Sequence, residues 1–318
     1  MIGSMRRHAA QGLPIYAILL GLMAITAVLE ADFRQPGNLQ NLADRMAPLA
    51  VLSLAQTLVI LIGGIDLSVG AVVSVSTVIL SFSGRDPTID LVPALLLVLL
   101  LGTATGFANG LGVVALRLDP LIMTLSSSAI LQGVALWVRP QPGGIIDLAF
   151  AGAMGDRALG VSVSFLLTIV IFALVWVLMS YTRFGRAMYA IGGNLESSRQ
   201  SGVPVNRVRV LTYTLAGFLA AVAGILLAAR IYGGDPVVGN SMTLDSIAAT
   251  IIGGTPFPGG SGGAVGTFGG AGLLAIIGNV LNMLEVSPYY QYIIKGLILA
   301  GALFFFYIRR RGSGYALA

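Results

Sequence analysis

Ten apolar runs, most of them long enough to cross a lipid bilayer, follow one another along this chain with only brief interruptions. They fall near residues 14–29, 47–63, 67–83, 91–115, 121–138, 161–181, 208–229, 243–256, 264–284 and 289–308. A membrane-spanning helix needs about 20 mostly apolar residues, and in lipid it must satisfy every backbone hydrogen bond internally. The interruptions carry turn signals: Pro48, Gly63-Gly64, Arg85-Asp86-Pro87, Asp119-Pro120, Arg139-Pro140, Gly233-Gly234-Asp235-Pro236 and Ser287-Pro288. Proline lacks the helical N–H and restrains the residue before it, so such pairs favour turns. The expectation is an all-α fold, a polytopic membrane bundle of about ten transmembrane helices forming one domain over residues 1–318.

Charge sets the orientation. Only 10% of the residues are charged and the mean hydropathy is +0.91, whereas about a quarter of a soluble domain is charged. With ten spans, Arg6-Arg7, the arginines at 183, 186, 199, 207 and 209, and Arg309-Arg310-Arg311 share one compartment. The other side receives Glu30–Arg45, Arg85–Asp90, 139–160 and Gly233–Thr243, where the charges are mixed or few. Cytoplasmic loops collect Lys and Arg, so both termini and the 182–209 loop are expected in the cytoplasm. The net charge of +5 is then topogenic, and a nucleic-acid partner is not expected.

The composition also narrows the chemistry. Cysteine is absent and His8 is the single histidine, so a disulfide framework, a thiolate or multi-histidine metal site and a cysteine nucleophile are not expected. No HExxH, paired intramembrane carboxylates or nucleophile–base set argues for an enzyme. No G-x-x-x-x-G-K-[ST] occurs, and the Gly-rich run at 259–270 misses the spacing of a dinucleotide fingerprint. If nucleotide powers this protein, another polypeptide binds it.

Several stretches stand out. Thr182–Arg209 stays polar for almost thirty residues, and within it Asn194 to Gly202 reads as a short helix. Asn194 is placed to cap it, Gly202 to stop it, and Pro204 lies just beyond. Its small polar side chains suit either solvent or docking against another protein. Gly63 to Gly70 breaks the chain between two apolar runs, with Asp66 and Ser68 placed to cap the next helix. That is either an interhelical turn or a broken helix, which at membrane depth must be buried or line a cavity. Ile252 to Gly260 repeats the Gly-Gly pattern and could echo an internal repeat. Glycines at 102, 106 and 110, and at 262, 266 and 270, form stripes that let helices approach closely.

Polar residues inside the apolar runs are Gln56, Thr57, Thr103, Thr105, Asn109, Ser126, Ser127, Ser128, Gln132, Asn279, Asn282 and Glu285. Uncharged hydrogen-bonding groups suit either a neutral, hydroxyl-rich solute or bonding between helices. Few carboxylates accompany them, which disfavours proton coupling. Candidate pathway residues are Gln56, Asp66, Ser68, Asn109, Thr255, Asn279 and Asn282.

GGIDLSVG, RFGRAMYAIGGNLESSRQSGVPV, AATIIGGTPFPGG and NVLNMLEVSPYYQYIIKGLILAGAL occur in this order. They resemble the permease subunit of bacterial ABC importers for monosaccharides, the ribose/xylose/galactose group, over nearly the whole chain. The resemblance implies a multi-pass protein of the bacterial inner membrane that imports a pentose or hexose as part of an assembly. It further implies a second permease chain, identical or not, an ABC ATPase that holds ATP and Mg, and a periplasmic sugar-binding protein. It makes Asn194, Leu195, Glu196, Ser197, Ser198, Arg199, Ser201 and Gly202 the residues that couple to the ATPase. Three departures from the family pattern stand out: Ser197-Ser198 replaces a common Ala-Ala, Pro256 and Pro258 stiffen the second glycine loop, and Ser126 stands where glycine is frequent. A branched-chain amino-acid ABC permease and an ion-coupled secondary carrier are the alternatives.

Overall fold

The computed structural model describes residues 13–84 and 87–312, so Arg6, Arg7, His8, Arg85 and Asp86 lie outside the described residues. The described residues are mostly helical. Ten helices overlap the ten apolar runs: α1 (Leu13–Leu29), α2 (Pro36–Leu61), α3 (Val69–Leu80), α4 (Leu91–Val114), α5 (Pro120–Val138), α7 (Val163–Tyr181), α10 (Val205–Ile231), α11 (Gly239–Ile252), α12 (Ala264–Met283) and α13 (Pro288–Gly312). Three more lie between them: α6 (Leu148–Gly155), α8 (Arg183–Gly193) and α9 (Leu195–Gln200). A two-residue hairpin, Arg157–Ala158 with Val161–Ser162, follows α6. Six helices, α2, α4, α5, α7, α10 and α12, are long and apolar enough by themselves to cross a membrane, which makes this a multi-pass membrane protein.

One expected break is absent. Pro48 lies inside α2 and is buried, so the helix begins at Pro36 rather than near residue 47. Prolines are tolerated in membrane helices when neighbouring elements re-satisfy the freed backbone. Here Leu42 and Ala47, in the turns that lead up to Pro48, are buried in the bundle.

Burial divides the bundle into a centre and a rim. Every residue of α2 from Ala50 to Leu61 is buried, as are nearly all of α3. Helices that are apolar all round belong to a core. In contrast α4, α5 and α7 expose Leu96, Leu100, Ile122, Ile130, Trp137, Val170 and Leu174 along one face, the surface that lipid would solvate.

The glycine stripes become contacts. At Gly102, Gly106 and Gly110 the added methyl of an alanine would collide with the backbone of α10 at Gly217, Tyr213 and Val210. At Gly266 and Gly270 it would collide with Gly253, just past the end of α11, and with Ala249 within it. Backbones this close gain van der Waals contact where the hydrophobic effect supplies no driving force.

The order of long helix, short break, short helix, long helix occurs twice, as α2–α3–α4 and α10–α11–α12. In the first break Asp66 Oδ1 accepts the Ser68 N–H at 2.8 Å; in the second Asp235 Oδ1 accepts the Val237 N–H at 2.9 Å. The two short helices meet at Gly70 and Gly239, each of which presses on the other's carbonyl. The counterpart of Gly63–Gly70 is thus Gly233–Gly239, not the Ile252–Gly260 segment that sequence spacing suggests.

Candidate coupling surface and central break

The Gly63–Gly70 break is a buried broken helix. Asp66 and Ser68 are both almost wholly shielded. Beyond its bond to the Ser68 N–H, Asp66 Oδ1 accepts the Ser68 hydroxyl at 2.6 Å. Asn109 on α4 donates to Ser68 Oγ at 2.9 Å, and Ser127 on α5 donates to Asn109 Oδ1. Thr124 on α5 accepts the Leu67 N–H at 3.1 Å and donates to the Pro120 carbonyl. Two neighbouring helices therefore satisfy a backbone that cannot satisfy itself.

Three of the pathway candidates, Asp66, Ser68 and Asn109, are brought into this network. The other four are not. Gln56 is fully buried on α2, and both of its amide atoms lack a partner among the described residues. Asp66 Oδ2 and the Tyr213 hydroxyl, which abuts Gly64, are likewise buried without partners among the described residues. Thr255 accepts the Gly263 N–H at 3.0 Å and closes the 253–263 loop. Asn279 exchanges amide hydrogen bonds with Asn38 at 2.8 and 3.3 Å, clamping α12 to the start of α2. Asn282 accepts from Gln291 at 3.0 Å at that same end of the bundle.

Sequence reading missed a hydroxyl cluster. Thr57 bonds Thr267 at 2.6 Å and Thr250 at 3.2 Å, tying α2, α12 and α11 together. Each threonine alone is ordinary in sequence, and only tertiary contact makes them a unit. Asp245 and Lys295 were also missed, although an ionisable residue inside an apolar run is itself a signal.

The polar loop folds as its capping residues require. Asn194 caps α9 by accepting the Ser197 N–H at 2.8 Å, and the Ser198 hydroxyl donates to the Asn194 carbonyl at 2.8 Å. The turn ends at Gly202, whose φ of +78° suits glycine, with its N–H on the Arg199 carbonyl at 3.0 Å. Ser198 is buried, whereas Leu195, Glu196, Ser197, Arg199, Gln200 and Ser201 are exposed. Beside it a cleft of about 630 Å³ is lined by Arg117, Arg199, Asn206 and Arg209.

Helix α8 ties this surface to the interior. Gly192 fits against the Leu61 carbonyl at the end of α2 and against Gly260, whose N–H donates to that same Leu61 carbonyl at 3.0 Å. Tyr189 donates its hydroxyl to the Gly262 carbonyl at 2.9 Å. Burial pushes the Tyr189 hydroxyl up to about 12, so it remains a protonated donor at neutral pH. A single element thus touches both the first break and the 253–263 loop. Among the described residues no group of three or more His, Cys, Asp or Glu side chains could hold a metal ion.

Residues 38–303 match the model of a family described as "Branched-chain amino acid transport system / permease component". The chain belongs to this permease family. It is 37% identical to a ribose import permease protein of Bacillus subtilis over 87% of each chain. It is 34% identical to the galactose/methyl galactoside import permease protein of Escherichia coli, over 91% of this chain and 92% of that one. An autoinducer 2 import system permease protein of Yersinia pseudotuberculosis is 31% identical, over 93% of this chain and 84% of that one. No solved structure gives a significant match.

Proposed function

We propose that this chain is the membrane subunit of an ATP-driven monosaccharide importer in a bacterial inner membrane. The cargo class rests on relatives named for ribose and galactose import, and it fits a central network of hydroxyl and amide groups around Asp66. ATP and Mg belong to a separate ATPase, sugar arrives on a periplasmic binding protein, and a second permease chain completes the pathway. Residues 1–318 act as one permease domain and have no ATPase site of their own.

The observation that carries the mechanism is the position of α8. Force applied to the exposed face of α9 passes through α8 to Leu61, at the start of the first break, and to the 258–262 loop that follows α11. Asn194 to Gly202 form the surface that an ATPase grips, and Arg199 presents a fixed positive charge to it. ATP-driven closure of the ATPase pair then rocks the helices and opens the pathway outward, and hydrolysis resets it.

Internal contacts support ten crossings with both termini in the cytoplasm. Asp44, near the start of α2, pairs with Arg157 in the hairpin after α5 at 3.2 Å. Three long helices alone would leave those residues on opposite sides, so the chain needs a further crossing, which the first break and α3 provide. Arg230 at the end of α10 and Asn282 at the end of α12 line one cavity, and the same parity requires α11.

The test is uptake of labelled ribose, galactose and leucine into proteoliposomes holding the permease, its ATPase and its binding protein. ATP-dependent sugar uptake is expected, and Arg199→Glu should abolish it while the permease still inserts. Normal uptake in that variant would end the coupling assignment. Leucine uptake in place of sugar would favour the amino-acid reading contained in the family's description. Uptake by the permease alone on an ion gradient would make it a secondary carrier.

A further inference from the structure

At the end of the bundle opposite α9, a cavity of about 200 Å³ is lined by charge among apolar helices. Arg45, Arg230, Asp245, Asn282, Gln291 and Lys295 reach it from α2, α10, α11, α12 and α13. Lys295 Nζ donates to Asp245 Oδ2 at 2.6 Å, and Gln291 Nε2 donates to Asn282 Oδ1 at 3.0 Å. Arg230 borders the cavity without an ion-pair partner among the described residues. Leu227 and Leu274 supply an apolar wall.

Ionisable side chains among membrane helices are costly, and they face the bundle interior or a water-filled cavity where a pathway uses them. This cavity is smaller than the several hundred Å³ of a drug-sized pocket, so it takes one small solute. Its lining combines guanidinium forks, a carboxylate and two carboxamides, the planar groups that can each engage two adjacent hydroxyls. Sugar hydroxyls both donate and accept, so they can answer every one of these groups. An apolar solute would leave all of them unmatched, and a small anion would leave Asp245 beside a like charge.

We infer that this cavity is the outer reception site for a monosaccharide released from the binding protein. The inference rests on the importer reading above. Asp245 accepts sugar hydroxyls, Arg230 and Arg45 donate to them, and the Asn282–Gln291 pair orients the ring against the Leu227–Leu274 wall. Lys295 holds the Asp245 carboxylate in place.

The chain has no cysteine, so one introduced thiol reports on the cavity without background. Gly278 lines the cavity, and a side chain there would meet nothing within 4 Å, so Gly278→Cys adds a probe without removing a polar group. Its reaction with a charged thiol reagent is followed in the complete assembly, with ribose, galactose, leucine or inorganic phosphate added. The transported sugar should slow the reaction about tenfold when it fills about nine-tenths of the sites, and leucine should not slow it. Unchanged labelling in the presence of a sugar that is taken up overturns the site and leaves the importer reading standing. Protection by phosphate alone makes it an anion site and also overturns the inference. If neither sugar is taken up, the importer reading fails, and this site fails with it.

A second experiment separates binding from packing. Exchanging the pair, Asp245→Lys with Lys295→Asp, restores an ion pair but reverses its sense. A packing role predicts recovered uptake, whereas a reception role predicts uptake at least about tenfold below wild type, the loss of one charged hydrogen bond. Recovery of uptake would overturn the assignment of Asp245. If the exchanged chain fails to insert, the Gly278→Cys result decides alone.

Discussion

Gly192 has no room for a methyl group. An added Cβ would run into the Leu61 carbonyl and the Gly260 amide, both backbone atoms that cannot swing aside. Its neighbour Gly193 has nothing within 4 Å of the same added atom. Gly192→Ala should therefore uncouple ATP hydrolysis from uptake or prevent assembly, while Gly193→Ala should be tolerated, even gaining a few tenths of a kcal/mol in helix propensity. Sugar uptake per ATP hydrolysed measures both, and equal behaviour of the two variants would show that the contact with α2 transmits nothing. Sequence alone offers no way to rank these two glycines. What it does offer at this scale is capping chemistry: Asn194 and Gly202 bracket α9 because a short polar side chain and a residue free to take positive φ are what helix ends need.

At the scale of elements, the apolar periods locate the helices, and the glycine stripes announce which of them approach closely. They cannot say whom they touch. The Thr57–Thr250–Thr267 cluster joins Thr57 to residues 193 and 210 positions further along the chain, and no local pattern encodes such a meeting. Its energetic weight is small all the same. Thr250 and Thr267 keep bonds to the Ser246 and Gly263 carbonyls when Thr57 is removed. Interhelical side-chain hydrogen bonds in membranes average about 0.6 kcal/mol, so Thr57→Val should lower stability by about that amount in a denaturation titration. A loss several times larger would mean that the cluster acts as one cooperative unit. The repeat is legible as a Gly-Gly motif, but its spacing points to the wrong partner, because 63–64 resembles 253–254 while the matching Asx turn is at Asp235.

At the scale of the whole molecule, the two short helices decide the topology. α3 has 12 residues and α11 has 14, spans of about 18 and 21 Å at the α-helical rise, well short of the hydrocarbon core. In the proposed topology each works as part of a crossing because other helices hydrogen-bond its irregular break, as Thr124 and Asn109 do for Gly63–Ser68 and Thr77 does for Asp235. Single thiols test this arrangement directly. Gln40 on α2 and Leu159 in the hairpin lie at one end, where the Gln40 amide reaches the Gly160 carbonyl at 3.4 Å; Arg117 and Gln200 lie at the other. Gln40→Cys and Leu159→Cys should react with an impermeant reagent added outside intact cells whose outer membrane has been permeabilised. Arg117→Cys and Gln200→Cys should react only after the inner membrane is opened. If α3 did not carry the chain across, Gln40→Cys would label with Arg117→Cys rather than with Leu159→Cys. That result would remove one crossing before α4, and with it the outward placement of the cavity at Asp245 and Lys295.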